Sequence, residues 1–425
     1  MMSLLTIGIA VVLAAVGVPL LFAIAMGCII AILATGDTSL LIVVQRMFYS
    51  GNLYPIVAVP LFMLAGEVMN RGGLSRRIIR FSDCLMGHIP GSAGLTTTMA
   101  SMLFAAISGS SAATAAAVGT IMIPSMIRNR FKPAFATAVL AFSSSLGIVV
   151  PPSITLIIYG ALAGVSISQL FLASIVPGIL AGLALMLVSY HQARKEKIDV
   201  EPSAGWAASA GALRSAFWAI LMPVVILGGI FSGFFTPTEA AAVAVFYGLF
   251  VGLCVHRELR WGEIYPMFAR SALNSSVPVL LFCVGGLLNH IFSIDRLPER
   301  LAEGTLSVTS SQIVFLLVVN IFLFVLGMFM ESSALLVVLT PVLAPLAQSF
   351  GIDLVHFGVL MNLNISIGQA SPPIGSTLFI GCTVSKVDIG RMFRPSLPFL
   401  VASWAVLLLV SYAPLLWKAV VSMFS

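Results

Sequence analysis

Long runs of apolar residues alternate with short polar segments along almost the whole chain. Apolar runs of roughly 18 residues are typical of helices that cross a membrane, so the pattern predicts an all-α integral membrane protein. Uninterrupted spans are expected near residues 3–16, 18–35, 53–70, 169–191, 216–235, 239–255, 273–292 and 397–420. Segments 74–88 and 294–304 mix charged and apolar residues, which predicts helices lying along the membrane surface.

Four further apolar segments are interrupted by serine, glycine and proline. The interruptions fall at residues 108–111, 143–152, 331–333 and 366–375. Unwound backbone inside hydrocarbon leaves carbonyl and amide groups unpaired at several kcal/mol each, so it persists only where protein, water or a ligand satisfies those groups. We therefore interpret segments 93–127 and 311–349 as re-entrant hairpins, and segments 134–165 and 355–382 as broken helices.

The interruptions also reveal an internal repeat. Adding 221 to the numbers of one set of polar, glycine and proline residues gives the other set: Ser143, Ser145, Gly147, Pro151 and Pro152 become Asn364, Ser366, Gly368, Pro372 and Pro373. Upstream, Ser110-Ser111-Ala112 matches Ser332-Ser333-Ala334 at 222. We expect two repeats, 1–200 and 201–425, each crossing the membrane five times. An odd number of crossings makes the second repeat inverted relative to the first.

The basic residues support this topology. It places Arg46, Arg296, Arg300 and Lys418 on one side and the rest of the 21 lysines and arginines on the other. Cytoplasmic loops carry the excess of positive charge, so both termini are expected to face the periplasm of a bacterial inner membrane. Because 60% of the residues are hydrophobic and only 8% are charged, the composition predicts that the chain is embedded in a lipid bilayer. It predicts neither a soluble enzyme nor a nucleic-acid partner.

The helix breaks are the expected site of chemistry. Carbonyls at half-helix ends and nearby hydroxyls are groups that replace the hydration shell of a sodium ion, and half-helix N-termini favour an anionic substrate. Two interpretations of Glu331 stay open, because its carboxylate either binds a cation or proton or caps the helix that follows. The chain contains no His-Glu-x-x-His, Gly-x-Gly-Asp or Gly-x-Ser-x-Gly motif, which argues against an intramembrane enzyme.

The ordered set of motifs resembles the large membrane subunit of the tripartite ATP-independent periplasmic (TRAP) transporters. The resemblance covers essentially the whole chain and rests on Ser108 to Thr114, Gly147 to Pro152, Phe235 to Ala241, Gly327 to Ser332, and Gly368 to Gly375. It implies an elevator mechanism, in which hairpins and broken helices move against a scaffold of the other spans. It also implies a separate four-helix small subunit and a periplasmic binding protein. The implied substrates are organic acids such as dicarboxylates, sugar acids and sialic acid, with sodium as coupling ion and no other cofactor.

The resemblance also implies site residues. Expected sodium-binding residues are Ser108, Gly109, Ser110, Ser111, Gly147 and Val150 for a first site, and Gly327, Ser332, Ser333, Gly368, Gln369, Ala370 and Pro372 for a second. Expected substrate-binding residues are Ser111, Ser145, Pro151, Glu331, Ser332, Ser371 and Pro373.

One alternative has a related architecture and a different biology. A self-sufficient sodium-dicarboxylate symporter needs neither a binding protein nor a small subunit. Such carriers usually have Ser-Asn-Thr at their hairpin tips, where this chain has Gly-Ser-Ser and Glu-Ser-Ser. A channel is a further alternative, although two hairpins with closed tips fit alternating access better than an open pore.

Overall fold

The computed structural model describes residues 2–36, 38–196 and 205–413, and it confirms the predicted all-α class. The first half contains α1 (Met2–Ala15), α2 (Leu20–Thr35), α3 (Leu41–Gly51), α4 (Ala58–Arg71), α5 (Leu74–Met86), α6 (Ser92–Ser108), α7 (Ser111–Arg128), α8 (Pro133–Ser145), α9 (Ile154–Ala163) and α10 (Ile167–Lys195). The second half contains α11 (Gly205–Phe231), α12 (Pro237–Phe250), α13 (Trp261–Ile294), α14 (Leu297–Val308), α15 (Gln312–Gly327), α16 (Ser332–Ser349), α17 (Leu354–Ala370), α18 (Ser376–Ser385) and α19 (Phe393–Tyr412). The end of the span predicted at 397–420 lies outside the described residues.

Length and composition identify the helices that can cross a membrane alone. In the described part of the chain these are Ile167–Lys195, Gly211–Phe231, Pro237–Val255, Trp261–Ile294, Ser332–Ser349 and Phe393–Tyr412. A seventh candidate is the pair Leu41–Gly51 and Tyr54–Arg71, which is bent by 64°. Seven further apolar helices in the described residues have 10–17 residues, as expected for the pieces of broken spans and hairpins. The group also contains α1 and α2, with 14 and 16 residues, which were predicted as uninterrupted spans.

The bent pair departs from the prediction. A single span was predicted at 53–70, but α3 precedes it, and a 3₁₀ turn at Tyr54–Val57 joins α3 to α4. The polar residues Gln45 and Arg46 interrupt the apolar run of α3, so a search for apolar runs does not detect this helix. α3 and α4 are not continuous because Pro55 lacks the backbone N–H that a continuous helix needs. The corresponding helix of the second half, α13, is continuous over 34 residues and longer than the predicted 273–292.

All four helix breaks lie near their predicted positions, and three of them are shorter than predicted. The break predicted at 331–333 instead spans residues 328–331, because Glu331 caps α16 and Ser332 and Ser333 form its first turn. α8 continues through Ser145 and a 3₁₀ turn to Ile148, so the predicted unwinding at 143–145 is wrong. α17 likewise continues to Ala370, which confines the second break to residues 371–375. Serine, glycine and glutamine are tolerated in the last turns of a buried helix, whereas Pro151-Pro152 and Pro372-Pro373 end it. Both Pro-Pro peptide bonds are cis.

The first parts of the two broken helices form the centre of the molecule. Residues Phe135–Ser145 of α8 and Val355–Ala370 of α17 are buried throughout. Where the two helices contact, Ser366 Oγ donates a hydrogen bond to the Ser145 carbonyl at 2.8 Å and lies 3.0 Å from Ser145 Oγ. These two serines occupy equivalent positions in the repeats, so the repeats contact each other through matching residues.

A second pair of contacts follows the same repeat. In the first half, Thr98 Oγ1 and Ser143 Oγ are hydrogen-bonded at 2.8 Å. In the second half, Asn364 Nδ2 donates to Asn320 Oδ1 at 3.0 Å. Asn320 and Asn364 follow Thr98 and Ser143 by 222 and 221 residues. Polar groups buried among apolar helices need such partners, so each hairpin is tied to its own broken helix.

Ion pairs connect loops that the charge distribution predicts to be cytoplasmic. Glu258 accepts from Arg77 Nη1 at 2.7 Å and from Arg76 Nη2 at 3.1 Å, which ties α5 to the segment before α13. Lys132 Nζ lies 2.8 Å from Glu196 Oε1. The hydrogen bond from Lys132 lowers the pKa of Glu196 below its usual value.

We predict that Tyr159→Phe destabilises the fold measurably. Tyr159 is fully buried, and its hydroxyl donates to the Leu354 carbonyl at 2.7 Å, joining α9 to the start of α17. Its removal deletes this hydrogen bond between two helices, at a cost of about 0.5–1.5 kcal/mol. The midpoint of thermal unfolding in lipid nanodiscs should therefore fall.

Tyr412→Phe is the matched control. The Tyr412 hydroxyl donates to the Ile313 carbonyl at 3.1 Å, but the residue is 39% exposed. Other polar groups replace an exposed hydrogen bond, so the midpoint should change much less. Equal decreases in the unfolding midpoint of the two variants would show that the buried hydrogen bond contributes no more to stability than the exposed one.

Candidate functional site

A cavity of about 650 Å³ lies at the meeting point of both hairpin tips and both breaks. We call it the central cavity. The first repeat contributes Gly109 to Ala112 from the first tip, and the second contributes Phe329 to Ala334 from the second. The opposite wall comes from α1, α2 and α13 and includes Asn274 and Pro278.

The first tip is fixed by close backbone packing. Gly109 ends α6 with φ +59°, and a Cβ there would lie 2.7 Å from the Pro152 carbonyl oxygen. The Ile154 amide donates to the Gly109 carbonyl at 3.3 Å. Gly147 lies against the same tip, since a Cβ on it would be 2.7 Å from the carbonyl carbon and oxygen of Ser110. Glycine is required because the two backbones touch.

The second tip repeats this arrangement. A Cβ on Gly368 would lie 2.7 Å from the Cα and carbonyl carbon of Gly327. Gly147 and Gly368 are equivalent in the repeat, so each broken helix uses the same glycine position to contact its own hairpin. The expectation that each tip meets the broken span of its own half agrees with this geometry.

Glu331 has the geometry of a helix cap. Its carboxylate accepts from the Ser333 amide at 2.8 Å and the Ala334 amide at 3.2 Å, the first free amides of α16. In the first repeat Ser110 caps α7 by accepting from the Ala113 amide at 3.4 Å. The first residues of the two helices, Ser111 and Ser332, are 221 residues apart, so Ser110 and Glu331 occupy equivalent cap positions. The Ser-Ser-Ala motifs align at an offset of 222 instead. Of the two interpretations of Glu331, this geometry matches the cap.

Hydrogen bonds between the repeats complete the base of the cavity. Ser111 Oγ donates to Gln369 Oε1 at 2.8 Å. Thr155 Oγ1 donates to Asn362 Oδ1 at 2.6 Å, and Asn362 Nδ2 donates to the Ile148 carbonyl. Asn362 is 1% exposed and holds the unwound segment of the other repeat in place. It was not among the predicted site residues, although an amide inside an apolar helix is itself a signal of function.

The predicted residues divide between the cavity wall and the layer behind it. Those that line the central cavity are Gly109, Ser110, Ser111, Glu331, Ser332, Ser333 and Gln369. Those that are buried outside its wall are Ser108, Ser145, Gly147, Pro151, Gly327, Gly368, Ala370 and Ser371. Val150, Pro372 and Pro373 are partly or fully exposed and also lie outside the wall.

Hydrogen bonds explain why two predicted substrate ligands do not reach the cavity. Ser145 contacts Ser366, and Ser371 Oγ donates to the Ile367 carbonyl at 2.7 Å. Thr155 and Ser376, which are equivalent in the repeat, line the cavity instead and were not predicted.

Besides α2, which begins at Leu20, four helices begin at the cavity wall. Their first residues, Ser111 of α7, Ile154 of α9, Ser332 of α16 and Ser376 of α18, all line it. A helix N-terminus carries free amides and roughly half a positive charge, which favour an anion. At α16 the Glu331 carboxylate already accepts from these amides, so the N-termini of α7, α9 and α18 remain for an anion. The oxygen atoms at the tips belong to serine hydroxyls, backbone carbonyls and, at the second tip, the carboxylate of Glu331. Among the described residues no cluster of three histidine, cysteine or acidic side chains could hold a metal ion.

Many apolar helices around a cavity closed by two hairpin tips define a multi-span membrane transporter. Residues 7–416 match the family described as "Tripartite ATP-independent periplasmic transporter, DctM component", and the chain belongs to this family. The resemblance drawn from the motifs is thereby confirmed.

Three known proteins illustrate the similarity. The C4-dicarboxylate TRAP transporter large permease protein DctM of Pseudomonas aeruginosa is 40% identical over 372 residues, covering 87% of this chain and 86% of the relative. The isethionate TRAP transporter permease protein DctMQ of Oleidesulfovibrio alaskensis is 38% identical over 408 residues, which are 94% of this chain and 63% of that longer relative. The crystal structure of the Alcanivorax borkumensis YdaH transporter matches with a TM-score of 0.67 and 14% identity, covering 87% and 86% of the two chains. Both relatives are named as permeases, which confirms a transport rather than an enzymatic function.

We predict that Gly147→Ala and Gly368→Ala displace the hairpin tips. Each added methyl would meet backbone atoms at 2.7 Å, which cannot move as a flexible side chain does. Overpacking of this kind costs roughly 1–3 kcal/mol, so the midpoint of thermal unfolding should fall in both variants.

Gly228→Ala is the control for that comparison. Gly228 lies within α11, and a Cβ there would meet nothing within 4 Å. Alanine is favoured over glycine in a helix by about 0.5–1 kcal/mol, so this variant should unfold at the same or a higher temperature. A uniform decrease in all three variants would contradict the close packing at the tips.

A third prediction concerns the cap at the second tip. Glu331→Ala should lower stability by about 1 kcal/mol, because the first amides of α16 lose their acceptor. Glu331→Ser should recover most of that loss, because Ser110 caps the equivalent helix. The two variants are compared by thermal unfolding, and equal losses would show that the carboxylate does more than cap.

Proposed function

We propose that this chain is the permease subunit that imports a small organic acid across a bacterial inner membrane, driven by a sodium gradient. The observation that carries the proposal is the convergence of the N-termini of α7, α9 and α18 on the central cavity. Those termini favour the negative charge of a carboxylate or sulfonate. The names of the two relatives, one for C4-dicarboxylates and one for isethionate, support the same class of substrate.

Sodium is proposed to bind at the two tips. The first site consists of oxygen atoms from residues 108–111 together with Gly147 and Val150. The second consists of oxygen atoms from Gly327, Ser332, Ser333 and residues 368–372. Neutral hydroxyls and carbonyls at the ends of half-helices are the groups that coordinate sodium in broken-helix transporters. The absence of a metal-type side-chain cluster among the described residues fits an alkali ion.

The proposed motion is that of an elevator. α6–α9 and α15–α18 form the transport domain, and the remaining spans form the scaffold. The contacts of Gly147 with Ser110 and of Gly368 with Gly327 join each hairpin to its broken helix. Hydrogen bonds from Ser111 to Gln369 and from Thr155 to Asn362 join the two halves, which supports their moving as one body.

Two partners are proposed. A periplasmic binding protein delivers the substrate, and a separate four-helix membrane subunit supports the scaffold. The word "tripartite" in the description of the family supports a system of three components. Both termini of the chain are proposed to face the periplasm, because the opposite orientation places most arginines and lysines outside.

The proposal is tested by uptake of labelled organic acids into proteoliposomes. The chain is reconstituted with and without an inward sodium gradient, a candidate small subunit and a candidate binding protein. Uptake that requires all three is the expected result. Sodium-driven uptake by the chain alone would replace the tripartite proposal with the self-sufficient symporter, and uptake indifferent to sodium would overturn the coupling.

We predict that Ser110→Ala and Ser332→Ala weaken the sodium dependence. Loss of one oxygen ligand at a cost of about 1.4 kcal/mol raises the half-saturating sodium concentration about tenfold. Ser215→Ala is the control, since Ser215 Oγ donates to the Ala212 carbonyl within α11 and lies outside the central cavity. Normal sodium dependence in both tip variants would exclude their hydroxyls as ligands.

A further inference from the structure

A second cavity, of about 490 Å³, continues along two walls of the central cavity. We call it the Arg46 cavity. α9 lines the central cavity with Ile154 and Thr155 and the Arg46 cavity with Ala161 and Leu162. α13 lines the first with residues 274–281 and the second with residues 282–293. Since a helix advances 1.5 Å per residue, the two cavities are about 10–15 Å apart along the same helix pair.

The direction from one cavity to the other is toward the predicted periplasmic side. Arg46 is one of the basic residues assigned there by the charge distribution, and Arg296, also assigned there, follows the end of α13. The Arg46 cavity therefore lies between the central cavity and the side from which the substrate is proposed to arrive.

The walls of the Arg46 cavity carry unused polar groups. α3 contributes Arg46 and Tyr49, and α13 contributes Asn289 and His290. Within the described residues, none of these four side chains forms a hydrogen bond or an ion pair, although neighbouring side chains such as Ser293 do form one. α9 contributes only the apolar Ala161 and Leu162, so the polar groups all face the cavity from one side.

The two cavities differ in charge. The described lining of the central cavity holds the carboxylate of Glu331 and no lysine, arginine or histidine. The Arg46 cavity holds a guanidinium and an imidazole and no acidic residue. A guanidinium presents paired N–H groups that match the two oxygens of a carboxylate, and the hydroxyl and amide nearby supply further donors.

We propose that the Arg46 cavity is an anion-binding vestibule, in which Arg46 and His290 hold the acidic group of the organic acid before it reaches the central cavity. This inference rests on the proposed function for the identity of the ligand. The vestibule supplies the cationic recognition that the hairpin tips lack. It accepts a carboxylate or a sulfonate, because both present oxygens to the same donors.

The test measures the electrostatic field in the cavity without requiring transport. Ser293→Cys, on the exposed wall of the cavity, is introduced into the full chain after Cys84→Ser and Cys254→Ser remove the cysteines that are not buried. The labelling rates of an anionic reagent, sulfonatoethyl methanethiosulfonate, and a cationic one, trimethylammonioethyl methanethiosulfonate, are compared in phosphatidylcholine nanodiscs without sodium.

Arg46→Gln should lower the ratio of anionic to cationic labelling about fivefold, as expected for loss of one nearby charge in water. Arg300→Gln is the control, because it removes the same charge on the predicted periplasmic side, farther along the chain from position 293 and outside the cavity lining, and it should change the ratio much less. Succinate should slow labelling with Arg46 present and not in Arg46→Gln. An unchanged ratio in Arg46→Gln, or labelling indifferent to succinate, would overturn the vestibule.

Two additional arms test the source of the bound anion and its link to transport. Nanodiscs that contain phosphatidylglycerol test the anionic lipid headgroup, and protection by this lipid without succinate would overturn the assignment to a small acid.

In proteoliposomes, Arg46→Gln should raise the KM for uptake about fivefold with little change in the maximal rate, and Arg46→Lys should recover part of it. Succinate protection together with absent sodium-driven uptake would retain the vestibule and reject the proposed function.

Discussion

The whole structure depends on the satisfaction of backbone polar groups inside a hydrocarbon layer. A helix satisfies its own amides and carbonyls, so every interruption leaves groups that other parts of the protein must satisfy. Here the interruptions are gathered at one place, and they satisfy each other. The backbone amide of Ile154 donates to the Gly109 carbonyl, and the side-chain amide of Asn362 donates to the Ile148 carbonyl. The same grouping leaves the N-termini of α7, α9 and α18 facing one cavity, so the requirement that stabilises the breaks also creates a place for an anion.

Much of this arrangement could be predicted from the sequence, because glycine, serine and proline within an apolar run give a strong local signal. The approximate positions of the four helix breaks follow from that signal, and the internal repeat identifies which breaks correspond. The extent of each break did not follow, since Ser143 and Gly368 are compatible with a helix whose neighbours fill the space around them. α3 was missed because Gln45 and Arg46 interrupt its apolar face.

The site was predictable only in part for a different reason. Residues at the tips, such as Ser110 and Ser332, line the cavity as their motifs indicated. The sequence analysis did not predict Asn362, Thr155 and Asn274 as site residues. They reach the site through contacts between segments that are distant in the chain, and the pattern of a single sequence does not indicate such contacts. Ser145 was predicted from its motif to face the substrate, but its hydrogen bond to Ser366 directs it toward the partner repeat instead.

That serine pair makes the contact between the two halves similar to the interface of a symmetric dimer. When two copies of one surface meet around a two-fold axis, a residue on the axis contacts its own counterpart, as in an isologous dimer interface. Ser145 and Ser366 are counterparts, and they touch at the centre of the molecule. The central helices of the two halves are therefore packed as the subunits of a homodimer are, with the same sequence position used twice across the contact.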